Sequence, residues 1–154
     1  MENQQQEKDK IYQRIKSSLT RLEYLRMLTA FTSKIHDGHT KIIDEARGPA
    51  LFLPFVAAMV EGQPVLKKVV QEGTKVGLAR GDIIIDFDGQ PVKEYLEALL
   101  QYNSYEVHEC AMKNTISGRL NSSKAYLMVK GRLPEAIEVK VKKPSGEEKT
   151  VRLV

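Results

Sequence analysis

The segment from Lys34 to Thr40 holds the side chains whose types and spacing come nearest to chemistry: His36, Asp37 and His39. Two imidazoles three residues apart beside a carboxylate have the donor atoms of a transition-metal site. No further cluster of Cys, His or acidic residues with ligand spacing accompanies them, so we expect no metal and no cofactor. An Asp-Gly pair also ends helices, and the helix dipole favours a histidine near a helix C-terminus. Taken alone, the segment is better explained as a helix terminus than as a site.

Candidate nucleophiles are few. Ser33-Lys34 and Ser123-Lys124 each place a hydroxyl next to an amine, but direct neighbours in sequence do not form a preformed nucleophile and base. Cys110 is the single cysteine, so no disulfide can form within the protein. It shares a predicted helical face with Val107 and Ala111, which favours a buried structural thiol over a reactive one.

Composition and charge describe a small globular protein with a mixed surface. The 154 residues, 42% of them hydrophobic, suit one domain or a small domain with an appendage. The net charge of +4 is spread evenly, since residues 1–77 carry 12 basic and 9 acidic side chains and residues 78–154 carry 12 and 11. We therefore predict no nucleic-acid partner. No apolar run reaches the length of a membrane span and the N-terminus is polar, so we also predict no membrane insertion and find no signal peptide in this sequence.

Helical periodicity dominates the first part of the sequence. From Lys8 to about Ile35 apolar residues recur at helical spacing in two stripes, which predicts two helices. Thr20 and Glu23 separate the stripes with the residue types of a capping box, in which a hydroxyl and a carboxylate satisfy the first amides of a new helix. We predict that Asp37-Gly38 ends the second helix and that a polar connection with Gly48-Pro49 follows.

Gly77 to Val92 is the most specific stretch of the sequence. Gly81-Asp82 predicts a tight turn, and Ile83 to Ile85 a short buried strand. Asp88-Gly89 suits a two-residue type I′ hairpin loop, where both residues need positive φ. A helix from Lys93 to Tyr102 should follow.

The remaining elements are predicted from apolar runs bounded by turn residues. In sequence order they are strands over Leu51–Val60 and Val65–Val70, a helix capped at Asn103-Ser104 that ends near Gly118, a strand over Tyr126–Val129, and a final hairpin that pairs Ile137, Val139 and Val141 with Val151 and Leu153.

The Gly77–Val92 block resembles the PDZ family, whose members carry a Gly-Leu-x-x-Gly-Asp-x-Ile-x-x-hydrophobic-Asp-Gly-x-x-Val pattern. The resemblance implies an α+β fold, with an N-terminal helical segment over residues 1–46 and a PDZ-like, partly open β-barrel or sandwich with an extra helix over residues 47–154. It also implies capture of the extended C-terminus of another polypeptide, which adds as a strand beside a sheet edge while backbone amides hold its carboxylate.

By this resemblance, the edge strand is Leu51 to Ala57 and faces the helix of Lys93 to Tyr102. The candidate peptide-binding residues on these two elements are Leu51, Leu53, Phe55, Leu96, Leu99 and Leu100. The alternative that most of them fill the core stays open. Two departures weaken the binding: the segment Arg47-Gly48-Pro49-Ala50 replaces the usual glycine-rich carboxylate loop, and Pro54 removes an amide donor. We therefore predict weak or conditional peptide binding.

A helical segment that ends in Asp37-Gly-His-Thr40 ahead of a PDZ-like domain is similar to the front half of the tail-specific serine peptidases, which include the carboxyl-terminal processing and tricorn-like branches. What the resemblance implies for His39 differs between the branches: it reaches the active site in the tricorn-like branch and has another role in the processing branch. In the tricorn-like branch this histidine is the general base for a serine in a later core, whereas the processing branch uses a lysine of that core. Histidine is suited to the first role because it can accept a proton near neutral pH.

The resemblance implies that the chain is the non-catalytic N-terminal and PDZ portion of such a peptidase, and that it recognises or gates C-terminal segments of peptides and proteins for a catalytic core. That core is expected beyond Val154, so the chain alone is predicted to be inactive. The parent protein would be exported to the periplasm or cell envelope. The alternative is a stand-alone PDZ adaptor that binds protein C-termini, and a reading frame that continues into a serine-bearing core would distinguish the two.

Overall fold

The structure, a computed structural model, describes residues 2–15, 19–43 and 50–154. The predicted boundary between residues 46 and 47 and the predicted Gly48-Pro49 connection lie outside the described residues. The helices and strands, in sequence order, are α1 (Glu2–Ile15), α2 (Arg21–Ser33), β1 (Phe55–Val60), β2 (Gln63–Val69), α3 (Gln71–Lys75), β3 (Ile83–Phe87), β4 (Gln90–Pro91), α4 (Val92–Leu100), α5 (His108–Gly118), α6 (Ser123–Lys130), β5 (Ile137–Lys142) and β6 (Glu148–Leu153). Helices ahead of an antiparallel sheet with further helices confirm the predicted α+β class.

The capping box predicted at the start of α2 is confirmed. Thr20 Oγ1 accepts the Glu23 backbone N–H at 3.2 Å, and the Thr20 N–H donates to the Glu23 carboxylate at 2.8 Å. The Thr20 hydroxyl and amide together lower the pKa of Glu23 because both stabilise the carboxylate. The helix ends at Ser33, before the predicted Asp37-Gly38 stop, and His36 already has a left-handed φ of 56°.

The strands form one antiparallel sheet in the order β1-β2-β3-β5-β6, with β4 paired to β3. Strands β1 and β6 are therefore its two edges. The predicted final hairpin is confirmed, because Ile137 pairs with Leu153 and Val139 with Val151. The hairpin of β1 and β2 turns at Glu61-Gly62, where both residues have positive φ as a type I′ loop requires.

The Gly77–Val92 block folds as predicted and is held by an ion pair. Asp88 and Gly89 have φ of 50° and 73°, which confirms the type I′ turn between β3 and β4. Asp82 is fully buried and accepts both the Ala79 N–H at 2.8 Å and the Lys143 ammonium at 2.7 Å. The ion pair with Lys143, which directly follows β5, compensates the charge of a carboxylate that has no exposed surface.

One predicted strand is wrong. Tyr126–Val129 lies within helix α6, which follows Ser122 and ends at Gly131 in the left-handed conformation (φ 76°). A run of four apolar residues fits a buried strand and one face of a short helix equally well, and here the glycine that ends the helix was the distinguishing signal.

Helix α4 forms the centre of the core. Its buried residues are Val92, Tyr95, Leu96, Leu99 and Leu100, and it packs against β3, α5 and α6. The ring of Tyr95 lies 4.6 Å from that of Phe87 on β3, centroid to centroid. By packing on both α5 and α6, helix α4 positions them over the sheet, and α5 also contacts β1.

Candidate peptide-binding site

The helix that faces the edge strand is α5 and not, as predicted, the helix over Lys93–Tyr102. Backbone atoms of α5 come within 8 Å of those of β1, whereas α4 packs mainly against β3 and the two following helices. The prediction assumes that the first helix after β4 lies along the edge. That helix is instead buried over the sheet, and α5 takes the place beside β1.

The predicted edge strand is also shorter than expected. Residues Leu51 to Pro54 lie outside β1, and the paired part of the strand begins at Phe55. Phe52 forms an isolated bridge with Ser122 instead. Pro54 lacks an amide hydrogen, but its carbonyl accepts the Val70 N–H at 3.0 Å, which anchors the segment to the end of β2.

The predicted peptide-binding residues fall into two groups. Leu51 is 73% exposed and Leu53 is partly buried, so both present surface to a ligand. The other four have at most 3% of their surface exposed and lie in the core: Phe55, Leu96, Leu99 and Leu100. These four support the site from beneath and offer no surface for contact in this conformation.

An open cleft of about 780 Å³ lies where β1 begins and α5 ends. Phe52, which is 64% exposed, forms one apolar wall, and Val70 and Val76 form another. The charged side chains that line it are Lys68, Glu72 and Arg152, so both signs are present. Sequence reasoning missed Phe52 because alternation along the predicted strand points it away from Leu51 and Leu53.

A second, smaller cleft of about 200 Å³ lies on the other side of Phe52. Leu51, Leu133 and Tyr126 line it. The residues that it shares with the larger cleft are Phe52, Leu53, Asn121, Leu153 and Val154. The Tyr126 hydroxyl donates to the Asp88 carboxylate at 2.5 Å. Burial, together with this bond, raises the pKa of Tyr126 to about 12, so the phenol stays neutral at physiological pH. The two clefts form one apolar surface around the start of β1.

The backbone between Leu51 and Phe55 is bonded to the turn of residues 119–123, which we name the α5–α6 turn. The Leu51 N–H donates to Ser123 Oγ at 3.0 Å, and the Ser123 N–H donates back to the Leu51 carbonyl at 2.9 Å. The Leu53 N–H donates to the Asn121 carbonyl at 2.8 Å. Asn121 Nδ2 donates to the Phe55 carbonyl at 2.6 Å, and both groups are buried. The α5–α6 turn therefore occupies the hydrogen-bonding edge ahead of β1.

His39 lies elsewhere, in a cleft of about 630 Å³ between the end of α2 and the side of α5. It is exposed, and its backbone N–H donates to Asp37 Oδ1 at 3.0 Å. Asp37 Oδ2 accepts the Thr40 hydroxyl at 2.6 Å; that bond and the His39 amide lower the pKa of Asp37. These are local turn contacts. Burial lowers the pKa of Arg119, which lines the same cleft.

The predicted burial of Cys110 is wrong, because α5 turns Ala111, Thr115 and Ile116 inward and leaves the thiol exposed. Within the described ranges, no group of three or more His, Cys, Asp or Glu side chains has the geometry to hold a metal ion. Over the same ranges, no helix combines the length and apolar character needed to cross a membrane.

Comparison with solved structures extends over nearly the whole chain. Mature CPAF, a chlamydial serine protease that contains a PDZ domain, gives a TM-score of 0.72 at 20% identity, over 96% of this chain and 28% of its own. The s499a mutant of CPAF gives 0.71 at 21% identity, over 96% and 27%, and mature CPAF complexed with lactacystin gives 0.73 at 20%, over 96% and 28%. Because the sequence identities are only 20–21%, these comparisons show a similarity of fold alone. The protein described here spans little more than a quarter of the length of these CPAF structures.

Comparison with curated proteins gave no match. The family model described as PDZ domain (PDZ_4) matches residues 49–154, well over half of the chain. Those residues contain the Gly77–Val92 block, the α5–β1 pair and both clefts beside Phe52. The chain therefore belongs to the PDZ domain family.

Proposed function

We propose that this chain is the N-terminal and PDZ portion of a tail-specific serine peptidase, and that it binds extended polypeptide segments and presents them to a catalytic core outside these 154 residues. The observation that carries the proposal is the open apolar cleft between the start of β1 and the end of α5. PDZ domains bind extended segments beside an exposed sheet edge of this kind.

Several features of the cleft support a peptide ligand. Its walls are apolar, with Phe52, Val70 and Val76 at least one-third exposed in the absence of a partner. Its volume of about 780 Å³ lies in the range that ligand pockets occupy. Lys68 and Glu72 at its rim can pair with polar groups of either sign on a passing polypeptide.

The link to a peptidase is supported by the extent of the structural likeness. CPAF is a serine protease, and its fold matches 96% of this chain, more than the PDZ domain alone. In the proposal, His39 at the end of the helical region faces the core as a candidate general base. Its exposure leaves the ring accessible to a second domain.

A titration followed by two-dimensional NMR tests the binding part. The probe is an N-acetylated peptide that alternates threonine and valine, starts with lysine for solubility and ends in valine. We expect the side-chain methyl signals of Leu53, Val70 and Val76, which line the cleft, to shift. Phe52→Glu should weaken binding about tenfold or more, since a large apolar residue contributes about 1.5–3 kcal/mol when it is buried. The matched control is Ile43→Glu, because Ile43 is 71% exposed and does not line the cleft.

An equal loss in both variants, or no shift at Val70 and Val76, would contradict peptide binding in this cleft.

The peptidase part is tested in the protein that the complete coding sequence encodes. There, His39→Ala should abolish cleavage of an unfolded protein substrate if His39 is the base, while Phe52→Glu should raise KM with kcat unchanged. A complete protein that binds the peptide and shows no hydrolase activity would favour the adaptor.

A further inference from the structure

We propose that this cleft recognises an internal stretch of extended polypeptide and not a free C-terminal carboxylate. The inference rests on the proposed function and names the class of segment that the same site takes. It differs from the expectation from sequence that C-termini are the ligands. The argument depends on where the amide hydrogens ahead of β1 are directed.

A terminal carboxylate is held in a PDZ domain by several backbone N–H groups that converge on it from the segment before the edge strand. Here the Leu51 N–H donates to Ser123 Oγ and the Leu53 N–H to the Asn121 carbonyl. The Phe55 N–H donates to the carbonyl of Leu53 at 2.8 Å, and Pro54 has no N–H. Four of the five residues from Leu51 to Phe55 therefore have no amide to offer a carboxylate.

The acceptors of this segment are bonded as well, which keeps its amides in place. The Leu51 carbonyl accepts the Ser123 N–H, and the Phe55 carbonyl accepts Asn121 Nδ2. The α5–α6 turn thus bonds the segment on both donors and acceptors, as a neighbouring strand would. To bind a carboxylate through the Leu51 and Leu53 amides, the protein would have to break the bonds to Ser123 Oγ and the Asn121 carbonyl and leave these two acceptors without their donors.

The cationic residues of the cleft do not replace the missing amides. Lys68 and Arg152 line the cleft, but both are exposed to solvent, and the Glu72 carboxylate lines it too. Exposed charges of mixed sign attract a carboxylate weakly, and salt screens that attraction. We expect the free-acid form of a peptide to gain less than about tenfold from them at low salt and almost nothing at high salt.

The shape of the surface favours a ligand that continues past the cleft. The larger cleft is joined to the smaller one through Phe52, Leu53 and Val154, so the apolar surface continues beyond the larger cleft. A continuous segment can place one apolar residue beside Val70 and another beside Leu133. A C-terminal residue would fill only the first of these places.

Three forms of the probe peptide test the proposal with the wild-type chain: the free acid, the C-terminal amide, and a form extended by a short Gly-Ser tail. Binding is measured by calorimetry at about 1 M NaCl, where the Debye length is about 3 Å. We expect the three dissociation constants to agree within about threefold. In NMR spectra, signals of Val70 and Leu133 should shift, while the amides of Leu51 and Leu53 should not.

A preference of about tenfold or more for the free acid at this salt, or a shift of the Leu51 and Leu53 amides with the free acid alone, would overturn the inference and leave the proposed function standing. Failure of all three forms to bind would overturn the proposed function, and this inference with it. As a second check, Asn121→Ala should not create a preference for the free acid as long as the Leu53 N–H stays protected from exchange. If the preference appears while that protection is retained, the bonded amides are not what excludes the carboxylate.

Discussion

The Gly77–Val92 block and the Leu51–Phe55 segment are both short, irregular stretches beside a strand, yet they are stabilised in different ways. In the block, the turn bonds are local: the Asp82 carboxylate accepts the Ala79 N–H, and the Asp88-Gly89 loop closes on its own flanking strands. In the Leu51–Phe55 segment, the bonding partners are Asn121 and Ser123, which lie 66 and 72 residues away in sequence from Phe55 and Leu51. A local pattern can be read from sequence, whereas a distant partner cannot.

The largest effect on stability should come from a distant contact of the block, the ion pair between Asp82 and Lys143. Lys143→Met removes the ammonium that neutralises buried Asp82, and we expect the free energy of unfolding to fall by about 3–5 kcal/mol, because an uncompensated charge remains in the core. Urea denaturation measures it. Lys140→Met is the matched control: it breaks the exposed pair with Glu148 and should have little effect. Equal losses in the two variants would mean that the buried Asp82–Lys143 pair contributes no more than the exposed Lys140–Glu148 pair.

Asn121→Ala tests the distant bonds of the Leu51–Phe55 segment. It removes the Nδ2 donor and leaves the Phe55 carbonyl buried without a partner, so we expect a loss of about 1–3 kcal/mol in the free energy of unfolding. Amide exchange at Leu53 should accelerate more than exchange in β5. Asn114→Ala, at an exposed position on α5, should change neither quantity. Because the Leu53 N–H donates to the backbone carbonyl of Asn121, unchanged exchange at Leu53 together with unchanged stability would show that the Asn121 side chain does not hold the segment.

Thr20→Ala tests a wholly local contact. Loss of the hydroxyl that accepts the Glu23 N–H should cost about 1 kcal/mol and fray the first turn of α2, which amide exchange at Glu23 and Tyr24 reports. Thr20→Ser keeps the hydroxyl and should retain most of the stability. If both variants lose the same amount, the methyl group and not the cap is responsible.

The smallest expected effect on stability comes from the local hydrogen bonds of Asp37. The Thr40 hydroxyl and the His39 amide place the pKa of Asp37 below its ordinary value of 3.8 in the folded state. The stability contributed by these bonds is therefore fully present above pH 3.8 and is lost as the pH falls through the lower, folded pKa. We expect the His39 amide signal to titrate with a midpoint below 3.8, and Asp37→Asn to abolish the titration. A midpoint at or above 3.8 would contradict the bonding.

The same division between local and distant contacts explains what the sequence could predict. The capping box of Thr20, the Asp88-Gly89 turn and the β5–β6 hairpin are each specified by residues close to one another in sequence, and each is predicted correctly. The strand predicted at Tyr126–Val129 is wrong because a run of four apolar residues is too short to distinguish the hydrophobic period of a strand from that of a helix.

For the candidate site, the sequence predicts the edge region but not the helix beside it. Whether α4 or α5 faces β1 depends on which apolar face the sheet buries, and both helices have one. Phe52 and the α5–α6 turn are missed for a related reason, since their roles follow from the packing of elements far apart in sequence. The predicted burial of Cys110 fails because α5 turns Ala111, its neighbour, to the core.

The α5–α6 turn has a consequence for solubility. Strand β1 is a sheet edge with the uncharged sequence Phe-Val-Ala-Ala-Met-Val, and an unpaired edge of this composition is a template for association with other polypeptides. The α5–α6 turn bonds the backbone that leads into β1, so the unpaired edge does not continue into residues 51–54 and is confined to the strand itself. Variants that release Asn121 should therefore self-associate at concentrations where the wild-type protein does not, and light scattering would detect the larger species.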